Sequence, residues 1–558
     1  MAITTWLRET KNEFGRDVTT PLLMVTLYAS VAGMSYGLDL NYWSGLLGMK
    51  QFQKDFGVFD TETQDWEIPA TWQSIGSGTP TAGIAIGTLI AGYVGNKFGR
   101  IKAFWFAAAI ALVGILVQAT SMSSYWQLVV GRIVNALSMG IICKRVAQFC
   151  SFTDTPLHSI IPIYQGEVAP ASLRGSFVNT YQFMLLFGGL IAVIVNWAMN
   201  ERSDQWAYRL AIIMQFVIPT IMAVGGFILP ESPRWLISQG RDGEAIEVLK
   251  YLRRGTPDAV IEKEVVLIGQ SVELQRTLHK ETGYVDCLRG PNLRRTVIAT
   301  GVQCLQPSMG NSYMTTYSIV LFQAIGIADE YKMLIYLYFV MMMADSCSFI
   351  VADKLGRRPL MFGSAICVSA SLYAVGGLTG YAEQNSDAVK KGTLAAIFLY
   401  YFIDAIGWAG CVWITCAEAP TTALRERTMT IATFCGFVVN LLIQYVSPYL
   451  QDEGYAALQG RIGFVWGSCA FVAAMWVLFV LPEMSGRSLE ELDELFEKRV
   501  DVWKFKKFET EGIGAEVTAL EAGRRRGVDV DSKVLVGVEV NAVESDGEQE
   551  DRKKALGV

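Results

Sequence analysis

About twelve runs of roughly 20 mostly apolar residues punctuate this chain, and they limit its fold more than any other feature. A bilayer interior offers no water to bare peptide groups, so a run of this length crosses it as a helix that bonds its own backbone. The first six runs fall near 21–46, 72–95, 103–121, 125–143, 176–198 and 208–229. The second six fall near 296–322, 332–352, 360–380, 393–417, 428–450 and 460–481. The expected fold class is an all-α membrane protein of about twelve transmembrane helices in two six-helix halves. With 52% hydrophobic and only 18% charged residues in 558, the chain is too apolar for a string of soluble domains.

The spans divide the chain into a short N-terminal segment (1–20), a first bundle (21–230), a charged helical linker (231–295), a second bundle (296–482) and a tail (483–558). Lys97, Arg100, Lys102, Arg174, Lys354, Arg357, Arg358, Arg425 and Arg427 fall in loops on the side of the N-terminus. The positive-inside rule makes that side cytosolic, with both termini and the linker on it. Residues 1–20 lack the apolar core and cleavage site of a signal peptide. Beyond about residue 509 the tail is too polar for a core and reads as disordered.

Several function classes drop out. The net charge is −6 and the basic residues lie in short clusters, so no nucleic-acid partner is expected. The ten cysteines form no C-x-x-C pair, and His158 and His279 are the only histidines, so neither a metal site nor a disulfide framework is indicated. No nucleophile, base and oxyanion donors occur together, which argues against an enzyme. No Gly-x-x-x-x-Gly-Lys loop marks an ATP-driven pump, and no cofactor is expected.

An internal repeat points to transport. Gly99-Arg100 follows the second span and Gly356-Arg357 the eighth, and Glu-x6-Arg recurs at Glu167…Arg174 and Glu418…Arg425. A guanidinium and a carboxylate at neighbouring helix ends can pair and latch one face of a bundle. Two repeated halves around a midplane site are the logic of a rocking transporter. Within the first span, Asp39 is an acid that must be paired, solvated or protonated, which makes it a functional candidate; Asp345 and Asp404 are further acids within spans, each lining the cavity or facing a polar helix partner. With so few histidines, carboxylates must carry any proton coupling.

Further motifs are Pro230-Glu-Ser-Pro-Arg-Trp-Leu236 after the sixth span and Pro482-Glu-Met-Ser-Gly-Arg487 with Leu489-Glu490-Glu491 after the twelfth. Asp353-Lys-Leu-Gly-Arg-Arg-Pro359, Gly131-Arg132 and Pro162-Ile-Tyr-Gln-Gly-Glu167 with Arg174-Gly175 extend the set. From about 21 to 500 the chain resembles the sugar porter family of the major facilitator superfamily. It departs from the family pattern at Asn96-Lys-Phe-Gly-Arg-Ile101, at Gln306-Pro307-Ser-Met-Gly310-Asn311-Ser312, and at Ala409-Gly410-Cys-Val-Trp413, where the expected proline is absent.

The resemblance implies import of a monosaccharide or small glycoside by alternating access, driven by a proton gradient. Asp39 would take the proton and release Arg132; the competing reading is a permanent Asp39–Arg132 ion pair that only aligns two helices. Gln182, Gln306 and Asn440 match family amide positions and Trp413 the aromatic one, the groups a pyranose needs. Gln215, Asn311, Ser312 and Tyr317 are further candidates, each also able to serve as a bridge between helices. The implied gating set on the cytosolic side is Arg100, Glu167, Arg174, Glu231, Arg234, Asp353, Arg357, Arg358, Glu418 and Arg425.

Two other functions stay open: the same fold carrying a polyol, a quinate-like acid or a secondary metabolite, and a membrane sugar sensor signalling through the tail. The partners implied are a small-molecule sugar and the lipid bilayer, and the family default for location is the plasma membrane. The polar segment Lys144–His158 interrupts the inner half of the fourth span. It is expected to bulge into the cytosol or to reflect an unspliced intron.

Overall fold

The computed structural model describes residues 19–142 and 174–508, apart from short gaps at 62–63, 122–123, 228, 255–256, 282, 328, 382–385, 422–423, 453, 486, 488 and 507. Two units are described separately, residues 1–483 and 484–558.

In the first unit, the first half comprises α1 (Thr20–Leu47), α2 (Lys50–Phe56), a hairpin of β1 (Val58–Asp60) and β2 (Asp65–Glu67), α3 (Ala70–Phe98), α4 (Arg100–Ala119), α5 (Tyr125–Ile142), α6 (Arg174–Met199), α7 (Trp206–Met214) and α8 (Val217–Gly225). The linker carries α9 (Pro233–Ser238), α10 (Asp242–Leu252) and α11 (Asp258–Glu281). The second half comprises α12 (Gly290–Gln306), α13 (Ser312–Ile325), α14 (Glu330–Leu355), α15 (Arg357–Tyr381), α16 (Asp387–Asp404), α17 (Gly410–Glu418), α18 (Arg425–Gln451) and α19 (Ile462–Val480). Two wide turns, Pro307–Asn311 and Ala405–Ala409, join α12 to α13 and α16 to α17. Every expected span has its helix. The sixth, seventh and tenth are interrupted, where the sequence pattern reads as continuous.

Local signals set several of these boundaries. Thr19 caps α1 by accepting the Leu22 N–H, and Ser232 caps α9 by accepting the Trp235 N–H ahead of Pro233. Pro307 has no N–H to continue α12, and Gly310 at φ +91° makes a turn that side chains rarely adopt.

Among the described residues, eight of these helical segments are long and apolar enough to cross a membrane by length and composition alone. Their outward faces are apolar: Met24, Val113, Val224, Leu442 and Phe479 are all exposed. An apolar surface of this extent suits lipid, not water.

Within the halves the closest packing runs between α1 and α6, α3 and α5, α4 and α5, α15 and α19, and α12 and α18. Across the halves α1 packs on α13, α3 on α18, and α6 on α14. In the linker, Leu249 of α10 is buried against Ile261 and Val265 of α11, and Arg253 pairs with Glu264 at 2.7 Å. In the second unit, α20 (Leu489–Glu497) presents Phe496 edge-on to Phe505 at 5.1 Å, while Arg487 pairs with Glu491 at 3.3 Å.

Candidate functional site

The interrupted helices build the site. Backbone that leaves the helical ladder inside a membrane is tolerated where it lines a cavity. The two wide turns, with residues beside them, flank a cavity of about 140 Å³ between the halves. Gln182 of α6, Gln306, Asn311, Ser312, Trp413 and Asn440 line it. Ser312 donates to Asn440 Oδ1, and Asn311 Nδ2 donates to Asp404 Oδ2 at 2.8 Å. Amides, hydroxyls and one aromatic face on a shared cavity are the groups that recognise a polyhydroxylated ring.

Two expected substrate contacts stand elsewhere. Tyr317 is fully buried and donates to the Gln444 carbonyl at 3.0 Å, a bridge from α13 to α18. On α13, Ser312, Thr315 and Thr316 face the cavity, and Tyr317 turns away from them toward α18. Gln215 sits between α7 and α8, and its Oε1 accepts from Asn135 Nδ2 at 3.1 Å. It belongs to a polar cluster within the first half.

That cluster holds Asp39, whose Oδ1 accepts from the same Asn135 amide at 2.8 Å. Asp39 and Arg132 are both buried, yet no ion pair joins them in this structure. Arg132 donates to the Gly76 carbonyl, and its guanidinium lies over the Trp43 ring at 3.9 Å. Carbonyl and ring quadrupole offset part of the charge's desolvation. The Asp39–Arg132 pair that both expected readings start from is not formed in this structure. Asn135 escaped the sequence reading, although it follows Arg132 by three residues on α5 and so shares its face.

At the linker end of the bundle the repeat takes physical form twice. Glu231 caps α4, accepting the N–H of Arg100 at 2.8 Å on Oε1 and of Ile101 at 3.3 Å on Oε2. Glu483 caps α15 in the same way, accepting from Arg357 at 3.2 Å and Arg358 at 3.1 Å. Gly99 and Gly356 precede these caps at φ +96° and +87°, and a Cβ on either would stand 2.4 or 2.7 Å from the capping carboxylate. Both caps place negative charge on a helix N-terminus.

Burial pushes the Glu231 carboxyl above the usual carboxylate range, against the pull of the backbone N–H groups of Ser232, Arg100 and Ile101 and the Arg100 charge. Arg357 pairs with Glu418 at 3.0 Å, and Arg358 donates to the Leu478 carbonyl at 2.7 Å. Arg234 lies in α9 and Arg425 opens α18, each engaged with neighbours. Glu167, the side chains of Arg174 and Asp353, and the segment Lys144–His158 lie outside the described residues.

At the opposite end the halves are joined directly. Tyr331 donates to the Gly45 carbonyl at 2.8 Å and Gln323 to the Gly48 carbonyl at 3.0 Å, while nearer the middle, on the cavity wall, Tyr338 donates to Asn41. Ser74 donates to the Tyr445 carbonyl and Thr81 to Gln444 Oε1, both at 2.7 Å.

A family model described as "Sugar (and other) transporter" matches residues 25–496. The chain belongs to this family of transporters. Relatives include the major facilitator-type transporter ecdD of Aspergillus rugulosus, 29% identical over 85% of this chain and 87% of its own. Another is the probable glucose transporter rco-3 of Neurospora crassa, 30% identical over 88% of this chain and 82% of its own. Among solved structures, the inward-open conformation of the xylose transporter XylE from E. coli matches with a TM-score of 0.68 at 21% identity, over 85% of this chain and 99% of that one. That likeness establishes the major facilitator fold. The sugar transporter family holds membrane transporters, not enzymes, which agrees with the absence of catalytic motifs in the sequence.

Glu483 is the capping residue that the sequence reading left out of the gating set. The signal for it was present: Pro482-Glu483 stands to Gly356-Arg357 as Pro230-Glu231 stands to Gly99-Arg100.

Proposed function

We propose that the chain imports a sugar across the plasma membrane by alternating access of its two halves, coupled to a proton that Asp39 carries. The observation that supports this most is the convergence of Gln182, Gln306, Asn311, Ser312, Asn440 and Trp413 on one cavity between the halves. Hydrogen bonds hold the halves together from the cavity to the end away from the linker, and among the described residues the linker end carries the two capped helices and the Arg357–Glu418 ion pair. With the linker and both termini cytosolic, the halves are closed on the outside, as in a state that delivers its solute inward. Opening toward the outside requires the hydrogen bonds of Tyr331, Gln323 and Ser74 to break, together with those that Tyr338 and Thr81 make to the cavity-lining Asn41 and Gln444.

Protonation fits Asp39 because its carboxylate is buried with one amide donor and no ion-pair partner. A change in its charge alters what Asn135, Gln215 and Arg132 must satisfy, which links the proton to helix packing in the first half. A proton gradient is then the energy source, with no cofactor.

The test is labelled hexose uptake at acidic external pH, with and without a protonophore, in cells stripped of their own sugar transporters. Uptake by the wild type should collapse under the protonophore and in Asp39→Asn. Uptake indifferent to both treatments refutes the coupling and leaves facilitated diffusion. Absence of hexose uptake refutes the cargo.

A further inference from the structure

Two carboxylates on the cavity wall have no part in the reading above. Asp404 ends α16 at the start of a wide turn, and Asp345 lies in α14; they are only 3% and 5% exposed. Asn311 occupies one oxygen of Asp404, while the other, Oδ1, is buried without a hydrogen bond. Asp345 takes no hydrogen bond from any described residue. Among the described lining residues there is no Lys, Arg or His.

The described wall of the cavity therefore carries two carboxylates and no cation. A neutral sugar needs no such arrangement, because amides and hydroxyls already offer both donors and acceptors. A carboxylate buried without a counter-charge is costly, and the cost is removed by a proton or by a cation that enters the cavity. An anionic solute would add repulsion to that cost.

We propose that Asp404 and Asp345 make this cavity selective for polyhydroxylated solutes that carry a cationic amine. The ammonium fills the acceptor positions that no protein donor occupies, and the hydroxyls meet Asn311, Ser312 and Asn440. Asp404 is placed for this by Asn311, which holds one carboxylate oxygen and leaves the other for the ligand. The inference deepens the transport reading and rests on this cavity being the substrate site. It also sets a quinate-like acid apart as a poor cargo.

Isothermal titration calorimetry on the purified full-length protein at neutral pH tests it. The probes are glucosamine against glucose, N-methylglucamine against sorbitol, and gluconate. The wild type should bind each amine about tenfold more tightly than its neutral counterpart, as a charge-assisted hydrogen bond provides, with gluconate weakest. Asp404→Asn and Asp345→Asn should each lower the amine-to-neutral ratio, while Asp345→Glu, which keeps the charge, should retain much of it. Thermal melting of each variant identifies any that has failed to fold.

An amine-to-neutral ratio of one in the wild type overturns the proposal and points to protonated carboxyls. So does a ratio unchanged in both asparagine variants. Glucose binding without amine binding overturns it and leaves the sugar reading intact. Aspartate-dependent binding of N-methylglucamine without glucose binding upholds it and ends the sugar reading.

Discussion

Replacing Gly99 by alanine should be among the most damaging single-atom additions to this protein. Gly99 sits at φ +96°, ψ 170°, a region open essentially to glycine alone. Holding an alanine there costs about 1–3 kcal/mol. The new Cβ would also stand 2.4 Å from Glu231 Oε2 and 3.2 Å from the Trp235 ring. The carboxylate must move, releasing the N–H groups of Arg100 and Ile101. Losing one charge-assisted hydrogen bond's worth of that cap adds about 1.5–3 kcal/mol.

The sum, about 2.5–6 kcal/mol, is large for one substitution. Chemical unfolding in detergent micelles measures it in a double-mutant cycle with Glu231→Ala. The double variant should cost about 1.5–3 kcal/mol less than the two singles added, because the carboxylate's contribution is lost only once. Strict additivity, or a cost below about 1 kcal/mol for Gly99→Ala, refutes the reasoning. Gly356 and Glu483 provide an internal replicate of the same geometry.

The same cap predicts a pH dependence. Burial leaves the folded-state pKa of Glu231 above its unfolded value, so the folded protein holds this proton more tightly. The stability it contributes is present at low pH and lost as pH rises through the raised pKa. The melting temperature of the wild type minus that of Glu231→Gln should therefore fall as pH climbs through that window, and a gap that widens refutes the sign. Tyr317→Phe should cost about 0.5–1.5 kcal/mol of stability and leave substrate affinity unchanged, since Tyr317 does not line the cavity and its hydroxyl bonds the Gln444 backbone carbonyl. Asn440→Ala should instead weaken binding of the transported solute about tenfold in titration calorimetry, and equal effects of the two substitutions on affinity refute the division.

The spans were legible because a bilayer imposes one requirement on every residue of a crossing segment. Backbone groups must be satisfied internally and side chains must be apolar, so a run near 360–380 announces α15 without help from its neighbours. Repetition singled out residues at the linker end: the same spacing in both halves marked Glu418 and Arg357, which form an ion pair. The chemistry of the cavity was only partly legible. Gln182, Gln306, Trp413 and Asn440 share it, but a one-dimensional pattern could not separate Asn311 and Ser312, which line it, from Tyr317, which does not. That separation depends on the helical phase after the Pro307–Asn311 turn.

Asp39 shows the other limit. Its presence inside a span marked it as functional, yet the partner expected from the resemblance, Arg132, turns to the Gly76 carbonyl and the Trp43 ring. Asn135, three residues along the same helix, takes the contact instead. By itself the sequence determined the class of fold, the helical spans and the family, because those follow from local hydropathy and from motifs that act within a few residues of themselves. Tertiary structure alone decided which polar groups meet in the cavity, which end of the halves is joined, and that Asp345 and Asp404 stand there without a cation. Such contacts join helices far apart in sequence, and their partners are chosen by packing and helical phase, which no linear pattern records.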